Sequence, residues 1–245
     1  MSGVMLVTGG GRGIGAATAR LAAERGYAVC VNYRADATSA HKLVDELGKK
    51  VIAVQADVSS EADVLRLFRT MDEKLGRLTV LVNNAGIVDR SSRVEAMSAE
   101  RIQRMLAINV TGSFLCAREA VKRMSTRHGG QGGAIVNVSS MAAKLGSAGD
   151  YVDYAASKAA IDTLTVGLAR EVGAEGIRVN GVRPGVIRTE IHATSGDPAR
   201  AERIGAAAPL QRAGEAEEVA RTILWLASGE ASYITGALLD VSGGR

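Results

Sequence analysis

The sequence predicts one α/β domain built on a doubly wound, seven-stranded parallel sheet with helices on both faces. Short runs of β-branched residues alternate with longer segments of helical periodicity, which is typical of strand–helix–strand units. Apolar runs such as Val80–Val82 indicate strands that are covered on both sides. The 245 residues, of which 47% are hydrophobic, suffice for one substantial core. No linker divides them, so we expect a single domain over residues 1–245.

Seven segments are predicted as strands because each is a short apolar run that polar or glycine-rich sequence follows. They are Val4–Thr8, Ala28–Tyr33, Val51–Gln55, Thr79–Asn83, Ala134–Val138, Ile177–Val182 and Ala237–Val241. Ligands of open parallel sheets bind beyond the carboxyl ends of the strands. The residues that follow each strand are therefore the candidates for a functional site.

The first strand runs into a glycine-rich turn and then into an alanine-rich helical segment. Glycines let the backbone turn tightly and approach a pyrophosphate, and the following helix N-terminus offers unpaired N–H groups and a positive dipole end. The spacing differs from the usual G-x-G-x-x-G fingerprint, although Gly11, Gly13 and Ala16 nearly satisfy it. The turn predicts a dinucleotide site with contacts from Gly9, Gly11, Arg12, Gly13, Ile14 and Gly15.

The end of the second strand, Asn32-Tyr33-Arg34, bears on the choice of nicotinamide coenzyme. An acidic residue there would bind the adenosine ribose of NAD(H), but Tyr33 occupies that position. Arg34 and Arg12 would offer a 2′-phosphate two fork-shaped donors, which favours NADP(H). An alternative stays open, in which Arg34 pairs with Asp36, or Asp36 itself reaches the ribose, and NAD(H) binds.

Polar residues also follow the fourth, fifth and sixth strands. These segments are Asn83–Gly86, the pair Ser139 and Ser140, and Arg183–Thr189. We expect them to converge at the same edge of the sheet. Because Ser139 and Ser140 are adjacent, the residues alone do not determine which hydroxyl faces the site.

Tyr154 and Lys158 stand at positions i and i+4 in a run of small residues. On a helix this spacing places phenol and ammonium on one face. A fixed cation stabilises the phenolate, so we expect Lys158 to lower the pKa of Tyr154 and make the two a proton-transfer pair. An isolated match also fits a solvated helix face, and the glycine turn favours the catalytic interpretation. Tyr151 is excluded because Ala155, not a lysine, lies four residues beyond it.

Over essentially its whole length the chain resembles the short-chain dehydrogenase/reductase family. Thr8–Gly15 resembles that family's TGxxxGxG turn, Asn83–Gly86 its NNAG motif, Tyr154–Lys158 its YxxxK motif and Pro184-Gly185 its PG segment. The resemblance implies a Rossmann-type fold and hydride transfer between a nicotinamide coenzyme and a substrate carbon. The subgroup it resembles most contains 3-oxoacyl-carrier-protein reductases and glucose-1-dehydrogenase-like enzymes.

The same resemblance implies a catalytic tetrad of Asn109, Ser140, Tyr154 and Lys158. Tyr154 would exchange a proton with the substrate oxygen while Ser140 hydrogen-bonds that oxygen. Lys158 would lower the Tyr154 pKa and hold the nicotinamide ribose, and Asn109 would position the lysine through a water. From the residues alone, Ser140 could instead serve a turn and Asn109 a helix backbone.

The resemblance also implies further coenzyme contacts. Asp57 and Val58 match an adenine-contacting pair, whereas Ile187 and Thr189 match positions that hold the carboxamide of nicotinamide. Each could otherwise be a cap or a turn residue. Outside the glycine turn, the full predicted coenzyme set is Asn32, Tyr33, Arg34, Asp57, Val58, Asn84, Ala85, Gly86, Tyr154, Lys158, Pro184, Gly185, Ile187 and Thr189.

Composition argues against several other classes of protein. The 30 basic and 26 acidic residues are interspersed, which argues against nucleic-acid binding. Cys30 and Cys116 lack metal-ligand spacing and fit a reducing compartment. No long apolar segment predicts a membrane span, and we expect a soluble, cytoplasmic protein without a metal.

The expected substrate is a small ketone, a sugar-like molecule or a 3-oxoacyl group. Two irregular segments, 139–151 and 187–210, are predicted to be loops that set specificity. In carrier-protein reductases a basic residue after the Tyr-Lys helix helps dock the acidic carrier. Glu175 takes that place here, although Arg127 and His128 supply positive charge near the other docking position.

Two further expectations concern what the whole chain does and how it assembles. A non-catalytic, NADP(H)-binding redox-sensing module is the alternative to an enzyme, since fold alone does not imply activity. The family resemblance implies a homotetramer. Apolar helix surfaces, Ser157–Leu168 and the stretch with Phe114, Leu115 and Val121, agree with packing between subunits.

Overall fold

A computed structural model describes residues 3–190 and 200–245, and it contains one parallel sheet in the order β3-β2-β1-β4-β5-β6-β7. The strands are β1 (Val4–Val7), β2 (Ala28–Tyr33), β3 (Val51–Gln55), β4 (Leu78–Asn83), β5 (Gly133–Val138), β6 (Ile177–Pro184) and β7 (Leu238–Val241). Every neighbouring pair is parallel. The predicted fold class is therefore confirmed, and the order reverses between β1 and β4.

The predicted strand bounds agree with the structure to within two residues. The largest difference is at β6, which continues through Arg183 and Pro184. Proline is tolerated there because Pro184, which pairs with Val241, is the last residue of the strand. The extension places Gly185 directly at the carboxyl edge of the sheet.

Helices cover both faces of the sheet. They are α1 (Gly13–Glu24), α2 (Ala37–Leu47), α3 (Glu61–Leu75), α4 (Ala99–Leu106), α5 (Gly112–Met124), α6 (Ala142–Leu145), α7 (Val152–Val172), α8 (Arg200–Gly205) and α9 (Ala216–Ala227). One buried cluster joins the sheet to α1, α2 and α9, and the other joins it to α3, α5 and α7. Strands buried on both sides explain the nearly uninterrupted apolar runs of the sequence.

A π-helical segment, Ala107–Thr111, links α4 to α5 without a break. The extra residue per turn rotates the helix locally, and such segments are frequent at functional sites. Gly112 follows it, where a Cβ atom would lie 2.7 Å from Cγ2 of Val58. The helix therefore passes very close to the end of β3, and the contact holds Asn109 near the carboxyl edge of the sheet.

The two segments predicted as substrate loops are not wholly irregular. Segment 139–151 contains the short helix α6, and segment 187–210 contains α8. Residues 191–199 of the second segment lie outside the described residues. The prediction of loops was wrong at α6 and α8. These helices have 4 and 6 residues, too few for helical periodicity to be detected in the sequence.

No described helix has the length and apolar character that crossing a membrane requires. Within residues 3–190 and 200–245, no group of three or more histidine, cysteine, aspartate or glutamate side chains could hold a metal ion.

Candidate active site

A cavity of about 790 Å³ opens at the carboxyl edge of the sheet, where the strand order reverses. This is the position at which doubly wound sheets bind ligands. All the predicted site residues line the cavity except Gly15 and Asn109. Segments that are far apart in the sequence thus meet at one site, and the two exceptions lie behind its wall.

The glycine turn is shaped by close contacts beneath it. Gly9 has a φ of +60°, which a side chain would strain. A Cβ atom on Gly15 would lie 2.5 Å from the Gly9 carbonyl oxygen and 2.6 Å from Nδ2 of Asn84. Gly15 therefore lets helix α1 pack against the turn and does not face the cavity.

The N-terminus of α1 fits an anion. Arg12 precedes the helix with extended backbone, and no acidic residue stands in the first turn. The unpaired N–H groups and positive dipole end of this helix face a cavity lined by Gly11, Arg12 and Gly13. The arrangement suits the pyrophosphate of a dinucleotide.

Thr8 is a positioning residue that the sequence reasoning missed. Its buried Oγ1 accepts hydrogen bonds from the backbone N–H groups of Asn84 and Ala85, both at 3.0 Å. Asn84 Nδ2 in turn donates to the carbonyls of Thr8 and Gly9 at 2.9 and 3.0 Å. These bonds lock the ends of β1 and β4 together. The first threonine of the TGxxxGxG motif was the available signal.

Asn32 has a similar supporting role. It is buried, and its Oδ1 accepts a hydrogen bond from the Gly9 N–H at 3.2 Å while its Nδ2 donates to the Ala56 carbonyl at 2.9 Å. Asn32 lines the cavity, as predicted for a coenzyme contact, but its amide is used to join β2 to the glycine turn and to the segment after β3.

Tyr154 and Lys158 lie on one face of α7 and both line the cavity. Lys158 is buried, its Nζ lies 5.7 Å from the centroid of the Tyr154 ring, and it donates a hydrogen bond to the Val138 carbonyl at 2.8 Å. The Ser140 side chain lies close enough to Tyr154 to lower the pKa of the phenol. Ser139 instead donates to the Lys158 carbonyl at 3.1 Å. The structure therefore places Ser140, and not Ser139, beside the phenol.

The expected lowering of the Tyr154 pKa was wrong for this structure. Burial raises the pKa of Tyr154, and the nearby Ser140 side chain offsets only part of that increase. Burial also lowers the pKa of Lys158 to about 8, although the negative charge of Asp162 opposes the shift. Sequence spacing placed the two groups correctly but carried no information on desolvation, which dominates here.

Asn109 lies directly behind Gly86. A Cβ atom on Gly86 would stand 3.4 Å from both Asn109 Oδ1 and Lys158 Nζ, so the missing side chain of Gly86 leaves room for both groups. Asn109 is fully buried; its Oδ1 accepts from the Ile87 N–H at 2.8 Å, and its Nδ2 donates to the Ile87 carbonyl and to Ser157 Oγ, both at 3.0 Å. The amide of Asn109 thus binds the backbone of the non-helical segment after β4 and not the backbone of its own helix.

The far end of the cavity is lined by Tyr33, Arg34 and Asp57. The alternative pairing of Arg34 with Asp36 was wrong: Arg34 Nη1 lies 3.8 Å from Asp57 Oδ2. Asp36 instead caps α2, where its carboxylate accepts from the N–H of Ser39 at 3.0 Å and from its hydroxyl at 2.7 Å. Its negative charge is therefore directed into the helix N-terminus.

Several cavity residues were not among the predicted site residues. Met141 and Leu145 of the α6 region, Ile204 of α8 and Arg245 line the cavity beyond Tyr154. Met141, Leu145 and Ile204 lie in the two segments that the sequence predicts as substrate loops, whereas Arg245 lies outside both and meets the cavity only in the folded chain.

The fold and the site together define a class of protein: an α/β oxidoreductase with a dinucleotide-type cavity and a Tyr–Ser–Lys cluster. Comparison with known proteins agrees. The family model described as enoyl-(acyl carrier protein) reductase matches residues 9–245. An uncharacterized oxidoreductase of Escherichia coli, YgfF, is 56% identical over 245 residues, covering 99% of each chain.

Two carrier-protein reductases are more distant. A 3-oxoacyl-[acyl-carrier-protein] reductase of Synechocystis is 40% identical, covering 98% of this chain and 96% of the relative. The crystal structure of a 3-ketoacyl-(acyl-carrier-protein) reductase from Brucella melitensis, complexed with NADH, superposes with a TM-score of 0.93 at 32% identity, over 99% of this chain and 98% of that one. This chain belongs to the short-chain dehydrogenase/reductase family.

Proposed function

We propose that this protein is an NADP(H)-dependent oxidoreductase that interconverts a carbonyl group and a secondary alcohol, with Tyr154 as general acid and base. One observation carries the proposal: the hydroxyls of Tyr154 and Ser140 lie side by side in a cavity that they share with Lys158 and the glycine turn. Two adjacent hydroxyls can both donate to one carbonyl oxygen and stabilise the charge that develops on it.

The donor set fits a nicotinamide dinucleotide. Gly11, Arg12 and Ile14 would hold the pyrophosphate at the helix N-terminus, and Lys158 would hold the nicotinamide ribose. The coenzyme, when bound, supplies or accepts the hydride. The Brucella relative in complex with NADH supports a nicotinamide coenzyme for this chain.

The preference for the phosphorylated coenzyme rests on charge at the adenosine end. Arg34 is more than half exposed, and the 3.8 Å separation from Asp57 is too long for a hydrogen bond, so its guanidinium is available to a 2′-phosphate. Arg12 adds a second guanidinium on the same wall. The Asp36 carboxylate, which would favour a ribose diol, is bound by Ser39.

The raised pKa of Tyr154 suits the reduction direction. The phenol is protonated at neutral pH and can donate its proton to the carbonyl oxygen as hydride arrives. Lys158, whose pKa is about 8, is largely charged at pH 7 and stabilises the phenolate that remains. Asn109 holds the backbone at Ile87 next to both groups.

A free substrate is favoured over one that is attached to a carrier protein. Glu175 accepts hydrogen bonds from Ser125 Oγ at 2.5 Å and from Arg127 Nη1 at 3.2 Å. The positive charge of Arg127 is thus paired with Glu175, which takes the place of the basic residue of carrier-protein reductases. We infer a small ketone, a sugar-like molecule or a short 3-oxoacyl thioester as substrate.

A coenzyme-oxidation screen tests the proposal. The purified protein is assayed with NADPH and, in parallel, NADH against ketones, aldehydes, acetoacetyl-CoA and acetoacetyl carrier protein. We expect turnover with NADPH and no advantage for the carrier-bound thioester. Coenzyme binding without turnover on any compound would instead support the redox-sensing module.

Tyr154→Phe removes only the phenolic hydroxyl. We expect kcat to fall by about 10²- to 10⁴-fold, the usual contribution of a general acid. NADPH affinity, measured by its fluorescence, should change less than about twofold, since the ring remains. Tyr151→Phe is the matched control, because Tyr151 also lines the cavity but lies outside the Ser140–Lys158 cluster. Equal losses in the two variants would refute the assignment of Tyr154.

A further inference from the structure

A buried ion pair joins α4 to the first turn of α7. Arg101 Nε lies 2.8 Å from Asp153 Oδ2, and Arg101 Nη2 lies 3.2 Å from Asp153 Oδ1. The side chains are only 13% and 3% exposed. This bidentate geometry fixes the relative orientation of both side chains.

Asp153 connects the pair to the backbone of Tyr154. Its carboxylate is close to the Arg101 guanidinium and to the Tyr154 backbone N–H, which together outweigh burial and lower the pKa of Asp153. The Tyr154 carbonyl accepts from Ser157 Oγ at 2.7 Å, and Ser157 Oγ accepts from Asn109 Nδ2 at 3.0 Å. The chain at Tyr154 is therefore tied to the α4–α5 segment through the preceding residue, Asp153, and through its own carbonyl and Ser157.

The third nitrogen of Arg101 reaches the other wall of the site. Its Nη1 donates to the Arg90 carbonyl at 2.8 Å, in the segment between β4 and α4. That segment is also bound to the substrate loop, where the Ser92 N–H donates to the Asp150 carbonyl at 2.9 Å. One guanidinium thus links the N-terminus of α7 to the strand-following segment that lines the cavity.

Stability alone does not account for such a pair. Removing two charges from water costs about as much as their attraction returns, and apolar replacements often serve a core equally well. The pair does fix the orientation of the two side chains, because a guanidinium and a carboxylate form paired hydrogen bonds in few geometries. Because Asp153 directly precedes Tyr154, the pair affects the orientation of the phenol.

We propose that Arg101 is a positioning residue for proton transfer, which orients Tyr154 through Asp153. The inference deepens the proposed function and rests on it. Without the guanidinium, the first turn of α7 loses its anchor to α4, and the phenol is no longer held at hydrogen-bonding distance from the substrate oxygen. Misplacement of a catalytic group by about 1 Å lowers turnover by about 10²-fold.

The test compares Arg101→Gln with Arg101→Lys in the full-length protein. We expect Arg101→Gln to lower kcat by at least about tenfold while the KM for NADPH changes less than about twofold. Arg101→Lys keeps the charge but not the paired hydrogen bonds, so its kcat should be intermediate. Arg104→Gln is the matched control, because Arg104 is on the same helix in an exposed pair with Asp89 at 2.9 Å. It should retain wild-type kcat.

A second variant keeps the test decisive if the buried carboxylate of Asp153 destabilises Arg101→Gln. The double variant R101Q/D153N removes both charges and leaves two amides of similar shape. Circular dichroism and thermal unfolding establish that it is folded. A folded double variant with wild-type kcat would overturn the inference, and a kcat loss with unchanged coenzyme binding supports it.

Failure of the proposed function gives a different result. If the wild-type protein turns over no substrate, or Tyr154→Phe keeps full activity, the assignment of Tyr154 itself is wrong. If the wild type is active, Tyr154→Phe is inactive and Arg101→Gln equals the wild type, only the positioning role of Arg101 fails.

Discussion

Lys158 is a buried ammonium in the wall of the cavity. Its Nζ is held by the Val138 carbonyl, and burial lowers its pKa to about 8. A lysine in the unfolded chain titrates near 10.5, so between these values the unfolded chain binds more protons than the folded one. Stability attributable to this group therefore rises with pH from about 8 to 10.5.

Replacing Lys158 by methionine should consequently stabilise the protein at neutral pH. Relief of desolvation is worth about 3 kcal/mol, and loss of the bond to Val138 costs about 1 kcal/mol, so we expect a gain of about 2 kcal/mol at pH 7. The gain should largely disappear by about pH 10, where the wild-type lysine is neutral in the fold. Urea unfolding at both pH values measures it, and a variant that is less stable at pH 7 would contradict the role of burial.

Arg34 is the residue on which the coenzyme preference depends. Arg34→Gln should raise the KM for NADPH by about tenfold or more, because a charge-assisted hydrogen bond to a phosphate is lost. The KM for NADH, which has no 2′-phosphate, should hardly change. Arg66→Gln is the control, since Arg66 is an exposed arginine near the end of β3 that pairs with Asp63. A wild-type protein that prefers NADH would show that the NADP(H) proposal is wrong.

At the scale of elements, the continuous α4–α5 segment does more for the site than any single strand. Its π turn carries Asn109, its N-terminal part carries Arg101, and both connect to the helix that bears Tyr154. The segment can approach the sheet only because Gly112 has no side chain. Helix placement here is decided by one close contact.

Gly112→Ala tests that contact. A methyl group would meet Val58 at 2.7 Å, and overpacking of this kind costs about 1–3 kcal/mol, more than the helix propensity of alanine returns. Thermal unfolding should show the loss, with lower activity because Asn109 shifts. Gly229→Ala is the control, since no atom lies within 4 Å of the position that its Cβ would occupy, and its effect should be neutral or slightly stabilising.

At the scale of the whole molecule, the two faces of the sheet are covered but one helical surface is not. Ile102, Leu106 and Phe114, on α4 and α5, are 37%, 42% and 50% exposed. Exposed apolar side chains on consecutive helices are typical of subunit interfaces. Leu115 and Val121, which the sequence placed in the same surface, pack partly against the core instead. We propose a homotetramer in which this surface is buried.

Light scattering tests the assembly. The wild type should have four times the mass of one chain, and Phe114→Glu should dissociate it, because a carboxylate cannot be buried without a partner. Leu65→Glu, which changes an exposed leucine on α3, should leave the mass unaltered. A wild-type monomer at all concentrations would refute the proposal.

Local chemistry explains what could be predicted from the sequence. Short apolar runs, helical patterns, glycines in a turn and a tyrosine–lysine pair one helical turn apart are short-range features, and each is present in the fold. They determined the sheet, its edge and nearly all of the cavity wall, because parallel strands end together.

Tertiary structure alone decided the features that depend on burial and on contacts between distant segments. The direction of both pKa shifts, the internal pairing of Glu175 with Arg127 and the link from Arg101 to Asp153 are of this kind. Desolvation and side-chain geometry arise only when the chain is packed, so residue spacing along the sequence could not predict them.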